Sequence, residues 1–288
     1  MTIQRFLCFL PILIWSCSSS NTSTQPDQST PETHEQPEPT QVVSAEFDSI
    51  LKAADVKGTI LVFDPAQHRY LSNRYTDWTE RSLPASTFKI TNSIIGLETG
   101  VIKGIHHPFK WDGQPRRLKI WERDFDLESA FKASCVDCYQ EVAAQVGTSR
   151  MQQMLDTLHY GSMLVSDSTL TTFWLEGESG ISPLEQINFL ERLHNKELPI
   201  SDSTWSILRT IMLLDDGDST RIYGKTGWAI RNGMNTGWFV GWAERNDRVY
   251  YFATRIQPDE DFNMALFPKI RYEITENALN VLWESKQY

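Results

Sequence analysis

Strand-forming segments lie at the two ends of this chain, and a long stretch of different character separates them. Residues 58–63 and 69–73 have strand patterns and flank a turn at 64–67, which predicts a hairpin. Three further strand segments follow near the C-terminus, at 221–224, 236–244 and 248–256. Because these strands are not separated by alternating helices, their order predicts one antiparallel sheet built from both chain ends.

The stretch between the two groups of strands has a mostly helical pattern. It covers residues 86–215, and a final helix is predicted over 268–285, where Ile270, Ile274 and Ala278 form one apolar stripe. The predicted fold class is therefore α+β, an antiparallel sheet with flanking helices and an inserted all-helical region. With 288 residues, of which 40% are hydrophobic, the chain can bury a core of this size.

The first 17 residues have the pattern of an export signal. Arg5 is the only charge before an apolar run over 6–15, which is about half the length that spans a bilayer. Cys17 resembles the modified cysteine of a bacterial lipoprotein signal, and an ordinary cleaved signal peptide is the alternative. Either reading predicts an exported protein, periplasmic and in the first case anchored to a membrane.

Residues 18–44 are predicted to be a disordered tether. No hydrophobic residue occurs from Ser18 to Gln41, and four prolines interrupt this polar segment. Such a composition cannot bury enough apolar surface to offset the entropy of ordering the chain. One catalytic domain is therefore predicted over residues 45–288.

Charge and cysteine content exclude two classes of partner. The formal net charge of −10 does not indicate the positively charged surface that binding of a nucleic acid requires. Cys135 and Cys138 share one face if they lie on a helix, so they could form a disulfide. Two buried free thiols are the alternative. His106 and His107 do not add a ligand pair at metal spacing, and no metal site is predicted.

Ser86 and Lys89 form an S-x-x-K motif where a helix is predicted to begin after Pro84. Residues i and i+3 share a helix face, so the Lys89 amine can reach the Ser86 hydroxyl and act as its base. The helix N-terminus also provides N–H groups where an oxyanion would form. The same spacing occurs twice more, at Ser49 with Lys52 and at Ser129 with Lys132. The motif therefore needs support from another part of the chain.

That support comes from Lys225, Thr226 and Gly227, which form the only K-T-G in the chain and lie at a predicted strand. A strand glycine lets a ligand approach the backbone closely. The alternative is a strand-end lysine followed by a turn glycine. An S-x-x-K motif with a strand-borne K-T-G is the signature that penicillin-binding proteins and serine β-lactamases share.

The segments around both motifs resemble class D β-lactamases. In chain order, the similar parts are 84–101 around the serine, 134–140 with an S-x-V element, several stretches within 173–199, and 237–242 after the K-T-G. They keep the order of the family over most of residues 75–260. Tyr160-Gly161-Ser162 departs from the family's Tyr-Gly-Asn, and we interpret this element as structural.

The resemblance implies a β-lactam hydrolase that works through an acyl-enzyme. Ser86 would attack the lactam carbonyl, and Lys89 would be the general base in acylation and deacylation. In this family CO2 carbamylates that lysine to N6-carboxylysine, which requires a neutral amine and hence a buried one. Ser134 would pass a proton to the leaving nitrogen, with Lys225 beside it. No other cofactor is implied.

The resemblance also implies a binding site for a small-molecule substrate. Its residues are Val136, Trp174, Leu175, Thr226, Gly227, Trp228 and Arg271. The indole of Trp174 could donate to the carbamate, and the N–H groups of Ser86 and Trp228 would form an oxyanion hole. Lys225 and Arg271 would hold the substrate carboxylate.

Several of these residues have simpler structural interpretations. Trp174 and Leu175 could be ordinary core residues, Ser134 could be a helix N-cap, and Arg271 could face solvent.

Two other functions share the motifs. A β-lactam sensor or a penicillin-binding protein would acylate the same serine without turnover. The sensors are joined to transmembrane helices, which the sequence does not predict, and the transpeptidases lack the Trp174 and S-x-V context.

Overall fold

The computed structural model describes residues 38–217 and 219–285. The predicted export signal, 1–17, and the predicted tether up to residue 37 lie outside the described residues. The strands are β1 (Thr40–Val43), β2 (Val56–Asp64), β3 (Arg69–Ser72), β4 (Leu213–Asp216), β5 (Arg221–Arg231), β6 (Met234–Arg245) and β7 (Arg248–Pro258). The helices are α1 (Ala45–Ala53), α2 (Lys89–Glu98), α3 (Leu127–Lys132), α4 (Val136–Val146), α5 (Thr148–Leu158), α6 (Pro183–His194), α7 (Asp202–Met212) and α8 (Phe267–Glu284).

One seven-stranded sheet, in the order β1-β3-β2-β7-β6-β5-β4, joins the two ends of the chain. Its central pairing is antiparallel between β2 and β7, from Val56 opposite Pro258 to Phe63 opposite Tyr251. The predicted hairpin is β2 with β3, and the three predicted C-terminal strands are β5, β6 and β7. The α+β fold class and the sheet built from both chain ends are confirmed.

Strand β1 corrects the predicted boundary of the tether. It lies within 18–44 and pairs in parallel with β3, from Thr40 opposite Arg69 to Val43 opposite Ser72. The sheet is therefore mixed rather than purely antiparallel, and its order begins before residue 45. So short a strand beside a polar segment has no hydrophobic pattern of its own; the edge of β3 provides its hydrogen-bond partners.

The inserted region is helical only in part, which corrects the prediction of an all-helical insertion. Helices α2 to α7 alternate with long segments at 99–126 and 159–182 that contain no α-helix. These segments are fixed by isolated bridges, Phe109 with Phe125 and Ser162 with Gly180. Strand β4 also begins inside the range predicted as helical. Its partner β5 is contributed by the sheet, so the local pattern could not reveal it.

The sheet separates two hydrophobic cores, because successive side chains of a strand point to opposite faces. On β2, Leu61 and Phe63 belong to the larger core against the helical region. Ile60 and Val62 belong to the smaller core against α1 and α8. The helix predicted over 268–285 is α8, and it covers the face opposite to the helical region.

Cys135 and Cys138 form a disulfide, which decides between the two states that the sequence left open. Cys135 is the N-cap of α4, and both cysteines are buried.

Within residues 38–217 and 219–285, no helix has the length and apolarity needed to cross a bilayer.

Substitution of Ile211 tests whether the inserted helices share the main core. Ile211 on α7 is fully buried, whereas Ile120 is 59% exposed. We expect Ile211→Ala to lower the free energy of unfolding by about 2–5 kcal/mol, because it leaves a cavity. The matched variant Ile120→Ala should change it by no more than about 0.5 kcal/mol. Chemical denaturation measures both, and equal effects would contradict this packing.

Candidate functional site

The serine and lysine of the central S-x-x-K motif lie at the start of α2. Ser86 is in a 3-10 turn over Ala85–Phe88, and Lys89 is the first residue of α2. The Lys89 Nζ and Ser86 Oγ are 3.1 Å apart, at hydrogen-bond distance. Ala85, directly before the serine, has a φ of 49°, an uncommon conformation for a residue with a side chain. The motif therefore forms a serine–base pair in a constrained turn.

The other two S-x-x-K pairs have ordinary surface roles. Ser49 donates to the carbonyl of Ala45 on the exposed face of α1. Ser129 forms a capping box with Asp126 at the start of α3. The two lysines form helical ion pairs, Lys52 with Asp48 and Lys132 with Glu128. Of the three S-x-x-K pairs, Ser86 and Lys89 are the pair in which the lysine is buried and its amine lies at hydrogen-bond distance from the serine hydroxyl.

Lys89 is buried with no acidic side chain paired to it among the described residues. Its Nζ lies 5.1 Å from the centre of the Tyr139 ring. Burial disfavours the charged amine and lowers the pKa of Lys89 to about 7. A substantial fraction of the amine is therefore neutral near physiological pH and can accept a proton from Ser86.

Trp174 joins the Ser86 turn to the segment that crosses over it. Its ring stacks on Phe88, with 5.3 Å between ring centroids, and its carbonyl accepts from the N–H of Ala85 at 2.9 Å. It is fully buried, as a core residue would be. Its Nε1, however, has no hydrogen-bond partner among the described residues, which is uncommon for a buried donor. Core packing alone therefore does not account for Trp174.

Strand β5 brings the K-T-G segment against the Ser86 turn. A Cβ added at Gly227 would lie 2.9 Å from the Pro84 carbonyl oxygen and 3.1 Å from Thr87 Cγ2. Only glycine therefore permits this approach. The Lys225 ammonium group is buried and donates to the carbonyl of Thr226 at 3.1 Å. Burial first, then the nearby charges of Lys89 and Arg271, hold the pKa of Lys225 well below its usual range.

Arg271 is buried beneath β5, so the solvent-facing interpretation is wrong. Its guanidinium donates to the carbonyls of Gly227 and Pro268. Its Nε has no partner within the described part of the chain, and burial lowers the pKa of Arg271 to about 10. Gly237 on β6 leaves room for the side chain, since an added Cβ would lie 2.7 Å from Arg271 Cδ.

Ser134 lies between α3 and α4 and has a φ of 54°. Its N–H donates to the carbonyl of Phe131 at 3.1 Å, and the Lys225 Nζ lies 5.7 Å from the Phe131 ring. The N-cap of α4 is Cys135, so the interpretation of Ser134 as a helix N-cap is wrong.

The remaining predicted binding residues lie around this centre without contacts that fix a role. Val136 begins α4 and is half-buried, as are Leu175 and Thr226. Trp228 is 38% exposed and donates its indole N–H to Asn235 at 2.8 Å.

The departure at Tyr160-Gly161-Ser162 has a backbone role. The N–H of Ser162 donates to the carbonyl of Gly180 at 2.8 Å, and the reverse bond is also 2.8 Å. An added Cβ at Gly161, where φ is 55°, would lie 2.8 Å from that same carbonyl oxygen. These contacts support the interpretation of this element as structural.

Two residues that support the site were not predicted. Tyr139 provides the ring beside Lys89, and its hydroxyl is 2.8 Å from Ser93 Oγ on α2. Trp238 donates from Nε1 to the carbonyl of Leu83 at 3.0 Å, which fixes the chain just before Ser86. The spacing of Tyr139 three residues after Val136 was a usable signal, because such residues share a helix face. No local signal pointed to Trp238.

The burial of Lys89 should make the free energy of unfolding depend on pH. The pKa of a lysine is about 10 in an unfolded chain and about 7 for Lys89 in the folded protein. Between pH of about 7 and 10, Lys89 is therefore protonated in the unfolded state and mostly neutral in the folded state. Stability from this group therefore rises with pH through that window. We expect the unfolding free energy of the wild type, relative to Lys89→Met, to rise from pH 7 to pH 10.

Denaturant unfolding in bicarbonate-free buffer measures this difference. Lys119→Met, which replaces an exposed lysine, is the matched control and should follow the wild type across the range. Parallel pH profiles for the wild type and Lys89→Met would contradict a buried, uncompensated amine.

Comparison with known proteins places this geometry in a family. The penicillin-binding protein transpeptidase domain family matches residues 51–276. The β-lactamase OXA-48 of Klebsiella pneumoniae is 37% identical over 218 residues, which are 76% of this chain and 82% of that protein. The β-lactamase OXA-10 of Pseudomonas aeruginosa is 37% identical over 228 residues, 78% of this chain and 85% of that protein.

Solved structures agree with these sequence relatives. The crystal structure of a class D β-lactamase from Sebaldella termitidis superposes with a TM-score of 0.80 at 30% identity, covering 86% of this chain and 100% of that chain. The fold agrees with this structure, and the sequence with these relatives over most of their length. The chain therefore belongs to the class D β-lactamases and is a serine β-lactam hydrolase.

Proposed function

We propose that this enzyme hydrolyses penicillin-type antibiotics, and so protects its host, through an acyl-enzyme on Ser86 with a carbamylated Lys89 as general base. The observation that carries the proposal is the buried Lys89 amine, 3.1 Å from Ser86 Oγ and with a pKa lowered to about 7. A serine hydroxyl is a weak nucleophile at neutral pH and needs a base at this distance. An amine that is partly neutral can also react with CO2, which an ammonium group cannot.

In acylation, Ser86 Oγ attacks the lactam carbonyl carbon while its proton passes to the base at Lys89. The backbone N–H groups of Ser86 and Trp228 stabilise the negative charge on the carbonyl oxygen. Support for this pair comes from Gly227, which lets β5 approach the Ser86 turn. Cleavage of the lactam C–N bond leaves a nitrogen that takes a proton through Ser134, with Lys225 beside it. In deacylation the same base takes a proton from a water molecule, which attacks the carbonyl carbon of the Ser86 ester and releases the product.

The substrate carboxylate would be held by Lys225 and Arg271. Both side chains are buried, and an anion would compensate their mutual repulsion. The Arg271 Nε, which has no partner within the described residues, remains available for such a hydrogen bond. Val136, Trp174, Leu175 and Thr226 would complete the walls of the site.

The residues around Lys89 fit a carbamate. When bound, CO2 supplies a carboxylate on the lysine nitrogen that serves as the base. The unpaired indole N–H of Trp174 is a buried donor suited to a carboxylate oxygen. Burial keeps the free amine partly neutral, and the Tyr139 ring lies 5.1 Å from it.

Bicarbonate dependence tests the role of Lys89. Because CO2 reacts with the neutral amine, we expect bicarbonate to raise kcat for a penicillin or a chromogenic cephalosporin. Trp174→Phe should raise the bicarbonate concentration needed for half-maximal activity, by about tenfold for one lost charge-assisted hydrogen bond. Trp205→Phe is the matched control, since it loses an indole bond to the Leu193 carbonyl away from Ser86.

The same assay separates the enzyme from its alternatives. Many turnovers per Ser86 are expected, and Lys89→Ala should lose both turnover and the response to bicarbonate. One stoichiometric burst followed by a stable acyl-enzyme would instead indicate a sensor or a penicillin-binding protein.

We also propose that the protein is exported and anchored to a membrane through Cys17. The support is the arrangement of Arg5, the apolar run over 6–15 and the cysteine that follows it. A lipid on Cys17 would anchor the enzyme through the polar segment that follows.

Labelling with a radioactive or alkyne-bearing fatty acid tests this anchor. Label should enter the wild type in a bacterial host and be lost in Cys17→Ser, because that thiol is the acceptor. Cys8→Ser, which lies inside the apolar run, is the matched control and should keep the label. An unlabelled wild type that is released in soluble form would indicate an ordinary cleaved signal.

A further inference from the structure

The disulfide between Cys135 and Cys138 lies directly beside Ser134. Cys135 occupies the N-cap of α4, and its Sγ accepts from the backbone N–H of Cys138 at 3.2 Å. A hydroxyl or carboxylate normally fills this cap, whereas sulfur is a weak acceptor. The covalent bond between the two side chains therefore closes a helix turn that the hydrogen bond alone would hold weakly.

Ser134 itself has a backbone conformation that needs external support. Its φ of 54° lies in the left-handed region, which residues with a side chain rarely adopt. On its N-terminal side, the carbonyl of Ala133 accepts from Trp121 Nε1 at 3.0 Å. On its C-terminal side, Cys135 donates its N–H to the Ala130 carbonyl at 2.9 Å. Strained conformations persist only where the surroundings determine them, and they cluster at functional sites.

The first turn of α4 has two faces with different partners. Val136 and Tyr139 share one face, and the Tyr139 ring lies 5.1 Å from Lys89 Nζ. Cys135 and Cys138 share the next face and line a cavity of about 50 Å³ with Phe109, Trp121 and Phe125, among other residues. The disulfide thus fixes the turn from the face next to the one that carries Tyr139.

We propose that the Cys135–Cys138 disulfide is a positioning element of the active site, which holds Ser134 for proton transfer to the leaving lactam nitrogen. The inference rests on the proposed role of Ser134. The disulfide should therefore affect only acylation, because the lactam nitrogen that Ser134 protonates leaves in that step. Deacylation breaks no C–N bond. A disulfide that only stabilised the fold would not discriminate between the two steps.

The test measures acylation and deacylation rate constants separately, on the purified full chain, with a chromogenic cephalosporin in stopped flow. In Cys135→Ala/Cys138→Ala we expect acylation to slow about tenfold, since small misplacements of a catalytic group are costly. Deacylation should stay within about twofold of the wild type. Cys135→Ser/Cys138→Ala restores a hydroxyl N-cap and should recover most of the acylation rate.

Controls separate positioning from stability. Ser44→Ala removes the N-cap of α1, on the far side of the sheet, and should lower the melting temperature without changing the ratio of the two rates. Wild-type enzyme that is assayed after reduction in its folded state, without alkylation, provides the same measurement without relying on a variant. Peptide mass mapping verifies the disulfide in the untreated enzyme.

The outcomes are distinguishable. Equal slowing of both steps, no slowing of either, or free thiols at both cysteines in the untreated enzyme would overturn the positioning role. If Ser134→Ala slows acylation but the cysteine variants do not, only this inference fails. If Ser134→Ala leaves acylation unchanged, the proposed role of Ser134 fails and the positioning role fails with it.

Discussion

The burial of Lys89 is the constraint on which the rest of the site depends. An amine in an apolar pocket with no acidic partner among the described residues costs folding free energy while it is charged. Packing must offset that cost; close to Lys89, Phe88 stacks on Trp174, and the Tyr139 ring lies 5.1 Å from the amine. The same burial provides the lowered pKa that makes the amine useful as a base. Stability and chemistry therefore oppose each other at this residue.

The sheet holds the reacting groups close by joining distant parts of the chain. Pairing of β2 with β7 places the hairpin of the N-terminal half beside the C-terminal strands. Trp238 on β6 then bonds the backbone at Leu83, and Gly227 on β5 lets the K-T-G strand lie against the Ser86 turn. Small displacements of β5 would change the distance between the K-T-G segment and the Ser86 turn. This explains why tight glycine contacts occur at this strand.

The α3–α4 junction is a second place where a residue with a side chain adopts a left-handed backbone conformation. Ala85 and Ser134 both have positive φ values, and each is tied by hydrogen bonds to a different element. At the first, the carbonyl of Trp174 provides the bond; at the second, a disulfide closes the turn that follows. Strain of this kind restricts the positions available to a catalytic side chain. It also concentrates sensitivity to substitution in a few contacts.

The sequence by itself determined the α+β class and the strands at both ends, because these follow from local periodicity, and its short motifs predicted Ser86, Lys89 and the K-T-G as site residues. It left open the state of the cysteines, and it assigned β1 to the tether. Tertiary structure decided these points, and it showed that Lys89 is buried against Ser86, since strand pairing, burial and disulfide formation depend on residues far apart in the chain. The pKa of Lys89 belongs to the same class: desolvation is a property of the folded surroundings, and no local pattern encodes it.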